Sequence, residues 1–135
     1  MPKLSILDRY LWSDTTLPWT EEHLQIAIVE QLRKRERLGG FTFAADMNAG
    51  RRSPKLGAKL RLAGMTSGEA DMRFYLSDGR LGMIELKKAK GVLSKSQKER
   101  HALLKSLGHD VRVVKAGCPQ DAVDQTLAIL DEWIS

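Results

Sequence analysis

Leu24, Ile28 and Leu32 recur every four residues, and this apolar stripe predicts a helix that starts at Thr20. Thr20 has the hydroxyl of an N-cap, Glu21 and Glu22 put negative charge where the helix dipole favours it, and the basic run 33–37 followed by Gly39 marks the end. Glu21 belongs to the upper end of the inward stripe, so its carboxylate points along the core face; Glu22 beside it is the competing candidate. Residues 41–45 are short and apolar and predict a strand, and Pro54 begins a short helix reaching Ala63. Residues 72–76 and 84–87 predict two strands joined as a hairpin through the Asp78-Gly79 turn. Ser94-x-x-Gln97 has the capping-box pattern for a helix running to Leu107 and closed by Gly108. Residues 111–114 are a β-branched strand candidate, and Pro119 introduces a last helix with Val123, Leu127, Leu130 and Ile134 inward.

The order α-β-α-β-β-α-β-α predicts an α/β fold with a central mixed sheet flanked by helices, the hairpin antiparallel and the last strand entering by a crossover helix. Residues 1–19 have no clear period and are expected to form an N-terminal arm carrying Trp12 and Trp19, ahead of one domain over 20–135.

Composition narrows the class. A chain of 135 residues that is 42% hydrophobic suits one domain, and a net charge of +5 favours an anionic partner, nucleic acid first. The single Cys118, at a helix-start position, excludes an internal disulfide and a cysteine zinc site. No signal-peptide run and no membrane-length apolar stretch is present, so a soluble cytoplasmic protein with no membrane partner is expected. His23, His101 and His109 have no ligand spacing to one another and are expected to pack or lie at the surface, and the tryptophans to fill core or interface.

Candidate chemistry lies in the hairpin. With 84–87 extended, the period of two puts Glu85 and Lys87 on one face and Ile84 and Leu86 on the other, and the turn brings Asp71 alongside. Carboxylates at one point suit Mg²⁺ or Mn²⁺, which lowers the pKa of a coordinated water and offsets charge on a phosphate, while a nearby lysine orients the water or shares that charge. Phosphodiester hydrolysis uses all three residue types. A solvated strand face is the alternative for each alone.

More of the chain enters the pattern: Thr20-Glu21…Gln25, Asn48-Ala49-Gly50-Arg51-Arg52, Leu62-Ala63-Gly64-Met65, Gly68-Glu69-Ala70-Asp71, Ile84-Glu85-Leu86-Lys87, Leu93-Ser94-x-x-Gln97 and Leu107-Gly108-His109-x-Val111. In order and spacing these resemble the VRR-NUC family of the PD-(D/E)XK nuclease superfamily over residues 20–134. The resemblance implies a restriction-endonuclease-like core, with Asp71 and Glu85 as metal ligands, the Leu86 carbonyl as a further ligand, Glu21 completing the acidic cluster and Lys87 as catalytic lysine. It also gives Gln97 a catalytic-site role, against the alternative that Gln97 only completes the capping box. Ala70 stands where the family usually has proline, a residue that restricts the backbone and ligates nothing.

Beside such a site, Asn48, Arg51, Arg52 and Lys55, with Lys59 and Arg61 behind them, are expected to contact DNA phosphates, as are Lys88, Lys90, Lys95 and Lys98; a solvated basic surface is the bland alternative. The resemblance implies a Mg²⁺- or Mn²⁺-dependent DNA endonuclease of a bacterial or phage-infected cell, acting as a homodimer on branched DNA such as four-way (Holliday) junctions, with the arm of Trp12 and Trp19 able to join the dimer interface. The rival expectations are a non-catalytic nucleic-acid-binding module on the same fold and a nuclease of ordinary duplex.

Overall fold

Asp78 and Gly79 adopt positive φ (61° and 70°), the backbone that a two-residue hairpin turn requires. The turn joins β2 (Met72–Leu76) to β3 (Leu81–Lys88) in an antiparallel register that sets Met72 opposite Ile84. A computed structural model of the chain describes residues 5–46 and 53–135. Around the hairpin it builds a four-stranded sheet in the order β1-β2-β3-β4, with β1 (Phe41–Ala45) antiparallel to β2 and β4 (Asp110–Ala116) parallel to β3. The parallel pair is joined by helix α3 (Lys95–Ser106), as a crossover demands. The expected α/β architecture and element order hold: α1 (Glu21–Glu36), α2 (Pro54–Leu62) and α4 (Pro119–Ile134) complete it.

The two sheet faces have different depths. Leu24, Ala27, Ile28 and Leu32 of α1 pack with Ala122, Val123, Leu130 and Trp133 of α4 against Phe74, Ile84 and Leu86, forming the main core. On the other face Ala70, Met83, Leu104 and Val111 make a small cluster beneath α3. Residues 83, 85 and 87 share that second face by the strand period, so Glu85 lies under α3, not in open solvent.

Trp12 is 1% exposed and Trp19 is 5% exposed, and both belong to the main core, so of the two places expected for the tryptophans, core or interface, these take the core and the segment before Thr20 packs inward. The Trp12 indole donates to the Ile6 carbonyl (2.9 Å) and the Trp12 carbonyl accepts from Gln120 N–H (3.0 Å), which ties the segment to the start of α4. One expectation is corrected. Ile134, expected inward, is 40% exposed; the buried stripe of α4 runs through Val123, Thr126, Leu130 and Trp133. The Trp133 ring fills the space above Gly82, where a Cβ would lie 2.6 Å from it, and its N–H donates to Asp110 (2.8 Å). That anchored ring sets the rotation of the last turn and leaves Ile134 on the outer side.

The expected caps are present. The Thr20 hydroxyl accepts from His23 N–H (3.1 Å) and the His23 imidazole accepts from Thr20 N–H (3.0 Å), so His23 acts as a capping residue.

Candidate active site

Asp71 lies one residue before β2, and its side chain reaches across to β3. Its carboxylate accepts from Leu86 N–H (2.8 Å), while Asp71 N–H donates to the Glu85 carboxylate (3.2 Å). Each acid is therefore held by the other's segment. Glu85 is 1% exposed because β3 is covered on both faces, so the alternative of a solvated strand face does not hold for it. Lys87 follows on the same face with its ammonium 3.9 Å from Glu85 and its side chain 14% exposed.

Gln97 unites its two expected roles. Its side-chain oxygen accepts from Ser94 N–H (2.9 Å) and its N–H donates to the Ser94 hydroxyl (3.2 Å), completing the capping box, while its amide nitrogen donates to Glu85. The cap of α3 thereby clamps one acid. Gly68 makes the approach possible: at φ +82° it passes so close to α3 that a Cβ would sit 2.3 Å from the Ser96 carbonyl oxygen. Glu69 reinforces the junction by pairing with Arg100 (3.2 Å).

Burial raises the Glu85 carboxyl to a pKa of about 8, with the hydrogen bond and charge of Asp71 acting in the same direction and Lys87 against it. The raised Glu85 carboxyl thus keeps its proton near neutral pH. Two carboxylates, with the Leu86 carbonyl on the strand between Glu85 and Lys87, are the hard oxygen donors that fit Mg²⁺ or Mn²⁺, and a dication there would favour the ionised form of Glu85.

Asp71, Glu85, Leu86, Lys87 and Gln97 therefore converge. Glu21 is half-buried in the first turn of α1, beside exposed Glu22, and among the described residues no three acidic, histidine or cysteine side chains are grouped to hold a metal ion. Asn48, Arg51 and Arg52 lie outside the described residues. Lys55 and Lys59 are exposed on α2, Lys88 and Lys90 are exposed at and just past the end of β3, and Lys95 pairs weakly with Glu99 (3.9 Å). Lys98, also exposed, borders a shallow apolar hollow with Val92 and Val113.

A cleft that no sequence pattern marked opens beside Asp71 and Gln97. It measures about 550 Å³ and runs between the 64–69 loop and α2, with Ser53, Gly57 and Arg61 along one wall and the Arg73–Asp46 ion pair (3.0 Å) at another. His101, one turn beyond Gln97, is 4% exposed with Nε2 unpartnered among the described residues, and burial holds its pKa below the usual value.

Among solved structures the chain superposes on one named "VRR_NUC domain protein" with a TM-score of 0.60 at 21% identity, over 87% of this chain and 90% of that one. A second, named "VRR_NUC domain", matches with a TM-score of 0.50 at 21% identity, over 80% of this chain and 94% of that one. The fold is that of the VRR_NUC domain. No family sequence model matches the chain, and no curated protein sequence matches it. The VRR_NUC fold spans most of both chains, so the expected restriction-endonuclease-like core holds. No helix among the described residues is long and apolar enough to cross a membrane.

Proposed function

We propose that the chain is a metal-dependent DNA endonuclease that hydrolyses phosphodiester bonds, selects branched DNA such as four-way junctions and works as a homodimer. One observation supports the hydrolytic part of this: half-buried Asp71 beside buried Glu85, with Lys87 3.9 Å from Glu85 and Gln97 clamping it. Asp71, Glu85 and the Leu86 carbonyl would hold the ion. When bound, Mg²⁺ or Mn²⁺ supplies Lewis acidity to the phosphate and acidifies water.

The chain's own residues do the rest. Glu85 would give up its proton to hold an ion, because ligands must be deprotonated to bind. Gln97 fixes the Glu85 carboxylate through a hydrogen bond that costs little reorganisation, since Ser94 already holds the amide. Lys87, partly exposed at the edge of the pair, orients the attacking water or meets charge growing on the phosphate oxygens. Water adds to phosphorus, the bridging P–O bond breaks, and the leaving oxygen takes a proton. A dimer follows from the need for paired incisions, since one site cuts one strand.

The test is incubation of the purified protein with duplex, flap, single-stranded and four-way DNA in Mg²⁺, Mn²⁺ or EDTA. Cleavage of the four-way junction with either metal and none in EDTA is expected, lost in Asp71→Ala and in Lys87→Ala. No cleavage of any substrate would leave the fold as a binding module, and preferential cutting of ordinary duplex would refute the branched-DNA reading. Light scattering reads the oligomeric state directly.

A further inference from the structure

We propose that Asp46 is a positioning residue: by pairing with Arg73 it holds that guanidinium away from Asp71 and leaves the Asp71 carboxylate to a divalent cation; this rests on the metal-dependent reading above. Asp46 stands one residue past β1 and Asp71 one residue before β2. Asp46 N–H donates to the Asp71 carbonyl (2.9 Å), one step beyond the Ala45–Met72 pair of the two strands. The Gln25 side-chain amide, from α1, donates to the Asp46 carbonyl (3.2 Å). Contacts from two elements therefore fix the Asp46 backbone beside Asp71.

The strand period makes Arg73 a competitor for the acid. Met72 and Phe74 face the main core, so Asp71 and Arg73 share the opposite face, about 7 Å apart at two residues' rise. An arginine side chain spans that distance, and a guanidinium on Asp71 would occupy the carboxylate with its forked donors and oppose a dication with its charge. Arg73 meets Asp46 instead (3.0 Å), and no ion pair joins it to Asp71 among the described residues. The Asp71 carboxylate is turned toward β3, where it accepts from Leu86 N–H (2.8 Å). With the Asp46 side chain 48% exposed, the ion pair adds little to stability, so its consequence lies in where it puts the charge. Asp46 forms no three-acid group with Asp71 and Glu85, which sets it apart from the ligands. Asp46 and Arg73 both line the cleft at Asp71, so a cation arriving there passes a neutralised pair.

The test is Mn²⁺ binding without DNA, read from the electron paramagnetic resonance signal of the free ion in 0.15 M KCl, where charges more than about 8 Å apart are largely screened. Asp46→Asn should weaken binding about tenfold, the size of effect that groups supporting metal ligands have. Asp46→Asn combined with Arg73→Gln should bind within about twofold of wild type, and Arg73→Gln alone should bind no more weakly than wild type. Glu69→Gln takes the same charge from the same cleft and strips Arg100 of its partner, and it should cost less than about threefold. Unchanged binding by Asp46→Asn would overturn the role. A double variant as weak as Asp46→Asn would make Asp46 a ligand, and an equal loss in Glu69→Gln would reduce the effect to the field of the whole cleft; either also overturns it. Circular dichroism and melting temperature check that each variant is folded. Absence of Mn²⁺ binding by the wild type refutes the metal-dependent reading and this role with it, whereas equal binding by wild type and Asp46→Asn refutes only the role.

Discussion

Glu85→Gln tests whether the acid pair is a stored electrostatic cost. In the folded protein the Glu85 carboxyl is raised from 4.5 to about 8. The folded state thus holds a proton that the unfolded state releases, so the associated stability is complete below pH 4.5 and is lost as pH rises through 8. Each pH unit inside that window costs about 1.4 kcal/mol, so wild type should lose roughly 3 kcal/mol between pH 5 and pH 8, or about 10 °C in melting temperature for a domain of this size. Glutamine cannot ionise. Its oxygen can accept from Gln97 and its amide can donate to Asp71, but it gives up one acceptor for Asp71 N–H, a pH-independent loss of about 1 kcal/mol. The variant should therefore be slightly less stable than wild type at pH 5 and more stable by about 2 kcal/mol at pH 8. Denaturant unfolding in EDTA at both pH values measures the difference, in which other titrating groups cancel. Parallel stability profiles for the two proteins would refute the raised pKa. Adding Mg²⁺ or Mn²⁺ at pH 8 should stabilise wild type by about 2.7 kcal/mol at a hundred times Kd and leave the variant unchanged.

Gly68→Ala sets a methyl 2.3 Å from the Ser96 carbonyl at a backbone φ of +82°, so α3 must shift; a loss of about 2–3 kcal/mol in unfolding free energy is expected, and an unchanged midpoint would rule out the close approach. Ser94→Ala should cost about 1 kcal/mol as a lost cap, and Gln97→Ala about 1 kcal/mol more because it also leaves Glu85 without its amide partner; equal losses in urea titrations would mean that the Gln97–Glu85 contact contributes nothing. Trp12→Ala should destabilise by about 3–5 kcal/mol, since the ring is fully buried, whereas an outward-lying arm would lose almost nothing in the same measurement.

Local rules made much of this protein legible from its residues. Caps at Thr20 and Ser94, the Asp78-Gly79 turn, Pro54 and Pro119 at helix starts, and the apolar stripe of α1 depend on neighbours within four positions, and each lies where its pattern predicts. The period of two put Glu85 and Lys87 on one strand face and the hairpin brought Asp71 alongside, so the centre of the candidate site was legible as well. Contacts between distant segments were not. Burial of Trp12 depends on α4, and the outward turn of Ile134 depends on Trp133 stacking over Gly82. Composition and spacing carry no record of such distances.

The sequence by itself determined the elements, the hairpin and the identities of two acids, a lysine and a glutamine. Tertiary structure alone decided that Glu85 is buried under α3 with its carboxyl pKa raised by that burial, that Gln97 is both cap and clamp, and that a cleft opens beside Asp71. The physical reason is range: caps and periods act through bonds a few residues long, whereas desolvation and charge act through space and depend on every segment that closes around the site.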